Sequence, residues 1–328
     1  MTITIYADSN IYRYVASGEL EITTIGSIRF AYSSVHFDEM IRSGNTEMLR
    51  GIEALKAVPL VTNENGEYDI DDIGVCLEYE DPYENFKKYK TDNESVDDAA
   101  ISSIHELLIN FLGADNYEEL RNIPSSIVDM VLDATEDEYV EAGDLVHRAL
   151  EKAKDFGDFI EKDLSKKRPL SETRKEFGFP KGATSMHGND KNPIDGIWEH
   201  MKDKAGCVSK DQFFGFESSP GVEVEQSRIE SVSVCHLILN MVGFHPDKGL
   251  PKRDKIKNIM ADGQHVGYAS LCGGFLTSDY RLYKKAKAIF KYRGFHTTPM
   301  HVPYVAEKMS ATLVEPGVIK KFKLDKKQ

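Results

Sequence analysis

The sequence predicts an α/β protein: a parallel sheet flanked by helices, interrupted by a mostly α-helical insert. Three observations lead there. TITIYA precedes NIYRYVAS, and IRFAYS precedes SVHFDEMIRSG, near the start of the chain. GGFLTS, DYRLYKKAKAIFKYRG and FHTTPMHV repeat that alternation near its end. The stretch between is helical and acidic, so the strands at both ends belong to one sheet, and alternation of this kind favours a parallel sheet over a bundle.

Each element follows from its residues. Residues 2–7 alternate β-branched and apolar side chains, as a buried strand does. NIYRYVAS has helical spacing, with Asp8 or Ser9 to cap it and Gly18 to stop it. IRFAYS is a second strand, and SVHFDEMIRSG a helix capped by Ser33 or Ser34 and ended by Gly44, with His36 and Glu39 on one face. From residue 61 the chain turns polar, then acidic. Val96, Ala100, Ile104, Leu107 and Phe111 form one helical stripe, and further helices are expected near 124–135 and 137–165. Residues 166–193 read as a long loop or boundary. QSRIESVSVCHLILNMVG and IKNIMADGQHVGYASLC read as helices, GGFLTS as a strand, DYRLYKKAKAIFKYRG as a basic amphipathic helix and FHTTPMHV as a last strand. The expected organisation is therefore a split α/β domain at 1–60 and 226–305, an acidic insert at 61–225 and a basic tail at 306–328.

Composition narrows the class. With 41% apolar residues in 328, the chain can bury a conventional core. No run approaches the roughly 18 apolar residues of a membrane span, and no leader pattern opens the chain, so a cytoplasmic protein without a membrane partner is expected. Cys76, Cys207, Cys235 and Cys272 lack the paired spacing of a zinc site or disulfide framework. The net charge of −13 opposes nucleic-acid binding taken as a sum, but its distribution does not. Residues 61–160 hold 27 acids against 7 Lys plus Arg, whereas 251–328 hold 16 Lys plus Arg against 6 acids. A basic working surface beside an acidic accessory region is the reading.

In an open parallel sheet, ligands bind beyond the carboxyl ends of the strands. Asp8 and Asp279 follow two such ends, and Glu39 and Asp262 lie on helices that can reach the same edge. Four gathered carboxylates repel unless a divalent cation neutralises them, and Mg²⁺ or Mn²⁺ takes oxygen ligands. A site of that kind suits phosphodiester hydrolysis. The phosphate-loop, nucleophile-elbow and H-E-x-x-H patterns are lacking.

IYADSNIY, SSVHFDEM, ADGQHVGYAS and FLTSDYRLYKKA together resemble the PIN-domain nucleases, over roughly residues 1–45 and 255–305. The resemblance implies a PIN-like fold with Asp8, Glu39, Asp262 and Asp279 as catalytic metal ligands or water activators, supported by Asn10 and by Thr277 or Ser278. The large insert departs from the family, as do Gly263, Gln264 and His265; His265 stands one turn from Asp262, placed to orient phosphate or water. Lys284, Lys285, Lys287 and Arg293 are expected to attract a nucleic-acid backbone. The expected activity is metal-dependent endonuclease cleavage, of RNA rather than DNA, in a toxin or antiphage effector, with the insert controlling access or binding a regulatory protein. A catalytically inactive RNA-binding or scaffold module and a nucleotide-processing enzyme are the alternatives. Three of the four carboxylates also have a plain structural reading: Asp8 and Asp279 as helix caps, and Glu39 as a solvated helix residue.

Overall fold

The computed structural model describes residues 2–60, 79–93, 170–176, 178–179, 181–185, 192–203, 209–217, 227–248, 253–304, 308–314 and 318–324. In chain order these form β1 (Ile3–Ala7), α1 (Ser9–Ser17), β2 (Leu20–Ile25), β3 (Ile28–Tyr32), α2 (Ser34–Ser43), α3 (Met48–Ala54), β4 (Val58–Pro59) and α4 (Pro82–Asn93). There follow α5 (Leu170–Glu176), α6 (Pro193–Met201), α7 (Lys210–Phe213), α8 (Arg228–Met241) and α9 (Arg253–Ala269). Last come β5 (Gly274–Thr277), α10 (Tyr280–Arg293), β6 (Thr298–His301), β7 (Met309–Val314) and β8 (Val318–Leu324). No helix among the described residues is long and apolar enough to cross a membrane.

The protein is α/β, built on a five-stranded sheet of order β4-β3-β1-β5-β6 with every pairing parallel. Because successive side chains of a strand point to opposite faces, β1 at the centre serves two cores. Tyr6, with Ala31 and Phe275, faces a core closed by Ile194, Phe214, Leu239, Val266 and Ile289. Ile5 and Ala7, with Phe30 and Leu276, face a second core closed by Ile11, Phe37, Met40 and Ile52. The caps fall where the residue types place them. Asp8 accepts from the Ile11 amide (3.0 Å) at the start of α1, and Gly18 ends that helix in the left-handed region at φ 74°.

The fold divides into two compact units, Met1–Glu94 with Phe177–Asp247 and Ile259–Gln328, and Ser95–Glu176 with Lys248–Asn258. Both sheets, α1 to α4 and the site described below lie in the first. This corrects the expected insert boundary of 61–225. Ile194, Ile197, Met201 and Phe214 are fully buried in the core on the Tyr6 face, so α6 and α7 belong with the sheet. The helices expected at 96–113, 124–135 and 137–165 lie outside the described residues, as do Cys76 and Cys207.

The tail also differs. Residues 309–314 and 318–324 pair antiparallel as β7 and β8, and β7 runs parallel to β2. The reason is the alternation of MSATLV: Met309, Ala311 and Leu313 are buried while the residues between them are partly exposed. Lysine content alone obscured that pattern.

Candidate acidic site

The parallel pairing of β1 with β5 carries on one step past the strand, where the Asp8 amide donates to the Leu276 carbonyl (2.9 Å). Asp8 and Thr277 therefore meet at the carboxyl edge of the sheet. The Thr277 hydroxyl donates to the second Asp8 carboxylate oxygen and accepts the Asp279 amide (3.0 Å). Asp279 in turn caps α10, accepting from the amides of Arg281 (2.6 Å) and Leu282 (3.0 Å) through one oxygen. Two of the expected site residues are thus joined through one buried threonine, and both also cap helices. Burial pushes the Asp8 carboxyl up to about 6; Glu39 adds to the rise, and the bonds from Thr277 and Ile11 and the charge of His265 oppose it.

Glu39 enters from the second turn of α2, its side chain only 12% exposed. Arg13 Nη2 approaches one oxygen at 3.4 Å, and His265 Nε2 and Arg42 Nη2 approach the other at 3.7 and 3.9 Å. Burial alone would raise its carboxyl, but the hydrogen bond and charge of His265, with Ser9 and His36, hold it below the ordinary range. The neighbouring Asp38 is exposed and accepts from Tyr89 on α4 (2.7 Å).

Asp262 is the exception. It lies half-buried on α9, and among the described residues its carboxylate has no hydrogen-bond or ion-pair partner. Its carboxyl is pushed well up, by burial first, then by Asp247, Asp279 and Glu39, with Lys285 opposing. The four expected acids thus act on one another: Glu39 on Asp8 and Asp262, and Asp279 on Asp262.

Comparison with protein-family models, with curated proteins and with solved structures finds no match.

Among the described residues, no three His, Cys, Asp or Glu side chains stand close enough together to hold a metal ion as placed. The donor chemistry nevertheless suits a hard cation, since the four groups are carboxylates and the half-buried Asp262 carboxylate lacks a partner. The histidines are committed elsewhere. His36 accepts the Ser33 amide at Nδ1 (3.1 Å) and donates from Nε2 to the Ala7 carbonyl (3.0 Å), which assigns a neutral tautomer and fits a ring whose ionisation burial lowers to about 3. His265 bonds Tyr6 (2.8 Å) and Ser9 (3.2 Å), and Tyr6 bonds Ser33 (2.7 Å).

The remaining expected residues divide. Asn10 lies partly buried on the first turn of α1, and the Ser278 carbonyl meets His301 Nε2 (3.2 Å). Of the two candidates for supporting the acids, Thr277 is the one that touches Asp8. Lys287 is exposed and Lys284 stands 5.1 Å over the Tyr280 ring. Lys285 corrects the expectation: it is fully buried, with Nζ on Asp247 (2.6 Å) and Asn240 (3.0 Å), because the apolar stripe of α10 turns that position inward. Arg293 pairs with Asp211 (3.0 Å). Sequence reasoning missed the Tyr6–His265–Ser9 network and the Lys285–Asp247–Asn240 cluster. The Ser33–His36 spacing of a capping box was the one available signal, whereas Asp247 sits in a loop without periodicity.

Proposed function

We propose that the chain is a PIN-like, divalent-metal-dependent endonuclease that hydrolyses phosphodiester bonds, acting on RNA. The observation that carries this reading is Asp262, a half-buried carboxylate with no hydrogen-bond or ion-pair partner among the described residues, raised by burial first and then by Asp247, Asp279 and Glu39, which a cation entering there would offset. Asp8, Glu39, Asp262 and Asp279 are the residues that would hold Mg²⁺ or Mn²⁺. Bound there, the ion supplies Lewis acidity toward a phosphoryl oxygen and toward the attacking water.

The protein's own groups prepare the site. Thr277 and the Ile11 amide fix both Asp8 oxygens, so the carboxylate needs no reorganisation when a ligand arrives. His265, Ser9 and Arg13 keep Glu39 ionised. Asp262, held toward its protonated form by burial first and then by its acidic neighbours, would give up its proton to a cation held there. Lys284 and Lys287 supply sequence-independent attraction for phosphates from α10.

A catalytically silent RNA-binding module is the second reading. It is favoured by the cap bonds of Asp8 and Asp279, which explain those two residues without chemistry. Cleavage of labelled single-stranded RNA, structured RNA and DNA with Mg²⁺, Mn²⁺ or EDTA separates the two. Metal-dependent cutting of RNA that is lost in Asp8→Asn and Asp262→Asn is the expected result. Binding without cutting in any metal would favour the silent module.

A further inference from the structure

Next to the acids lies a group of aromatic rings, two of them exposed. Tyr280, the residue after Asp279, is 50% exposed, and so is Tyr304. Tyr304 stacks on Tyr14, with ring centroids 4.8 Å apart and planes inclined by 21°. Tyr280 meets Tyr283 at 6.2 Å and His301 at 5.4 Å. The two groups are joined along the chain: His301, which meets Tyr280, stands three residues before Tyr304, and its Nε2 meets the Ser278 carbonyl (3.2 Å). Ammonium groups accompany the rings: Lys284 lies 5.1 Å from the Tyr280 centroid and Lys287 6.0 Å from that of Tyr283.

We infer that Tyr280 and Tyr304 form a stacking platform for the bases of single-stranded RNA, leading a strand past Asp279. This rests on the nuclease reading for the identity of the polymer, but the platform is argued from its own geometry. An exposed aromatic face attracts any base whose own face is free, and in a duplex those faces are covered. Lysines over the rings meet the phosphates on either side of a stacked base. Lys285, between them in sequence, is buried and does not belong to this surface.

The test is fluorescence-anisotropy binding in EDTA, where cleavage cannot interfere, using a labelled 12-nucleotide RNA, the matching duplex and the matching single-stranded DNA. The single-stranded RNA should bind at least about tenfold more tightly than the duplex. Tyr280→Ala and Tyr304→Ala should each weaken it by about fivefold or more, while Tyr280→Trp and Tyr304→Phe keep it. Circular-dichroism melting of the alanine variants separates loss of a ring from loss of the fold. Equal binding by wild type and folded alanine variants, or by single strand and duplex, would overturn the platform; tighter binding of DNA would overturn RNA as its occupant. Ring-dependent binding without cleavage in any metal leaves the platform standing and removes the nuclease. Cleavage with an unchanged KM in both alanine variants does the reverse.

Discussion

Asp8 shows how one residue serves fold and site with opposite demands. Its carboxyl rises from 3.8 to about 6 on folding, so the folded state favours the protonated form. That stabilisation is complete below the unfolded value of 3.8 and is lost as the pH rises to about 6. Asn keeps the cap bond to Ile11 without the buried charge. Asp8→Asn should therefore be more stable than wild type at pH 7.5 in EDTA, by about 1–3 kcal/mol, and gain little at pH 4. Urea unfolding at both values checks this; equal stability at pH 7.5 would show that the buried charge carries no cost. His36 works in the other direction. Its ionisation is lowered from 6.5 to about 3, so the stability it confers is present above pH 6.5 and lost as the pH falls toward 3. His36→Ala removes the bonds to Ser33 and Ala7 and should cost about 2–4 kcal/mol at pH 7.5, with a shallower acid limb, measured in the same titrations.

Between elements, close approaches decide where the acids stand. A Cβ on Gly51 of α3 would lie 2.0 Å from the Tyr12 carbonyl oxygen, so α1 packs on α3 only with glycine there. Gly263 and Gly267, one turn apart on α9, do the same against α8: their added carbons would meet Ser233 at 3.3 Å and the Ile229 carbonyl at 2.8 Å. Gly267→Ala should destabilise the fold by about 1–3 kcal/mol, read as a lower midpoint in urea. Gly51→Ala should cost about 3 kcal/mol or more. These contacts were not legible beforehand, because glycine on a helix face gives no sign of which neighbour approaches it. The caps were legible, because Asp8, Ser33 and Gly18 each do locally what their side chains favour.

Over the whole chain, the sheet was readable from alternation, and Asp8 and Asp279 from their places at strand ends, since both are local patterns. Domain limits were not. Residues 192–217 are charged on average, and only packing shows that Ile194, Ile197 and Phe214 close the core over Tyr6. Lys285 failed for the same reason: a lysine among lysines reads as surface until Asp247 and Asn240, far away in sequence, are seen to enclose it. Charge asymmetry also predicts that RNA binding weakens steeply with salt, because each phosphate neutralised by a lysine releases counterions. Affinity that does not change between 50 and 200 mM salt, on the order of a Debye-length change, would exclude the basic surface as the site of contact. The proposed activity requires above all that the four acids act as one cation site. Calorimetric titration of the full chain with Mn²⁺, beside Asp262→Asn, tests this most directly. Saturable binding that releases protons in wild type and is lost in Asp262→Asn is predicted; equal binding by both proteins would contradict the four-carboxylate site.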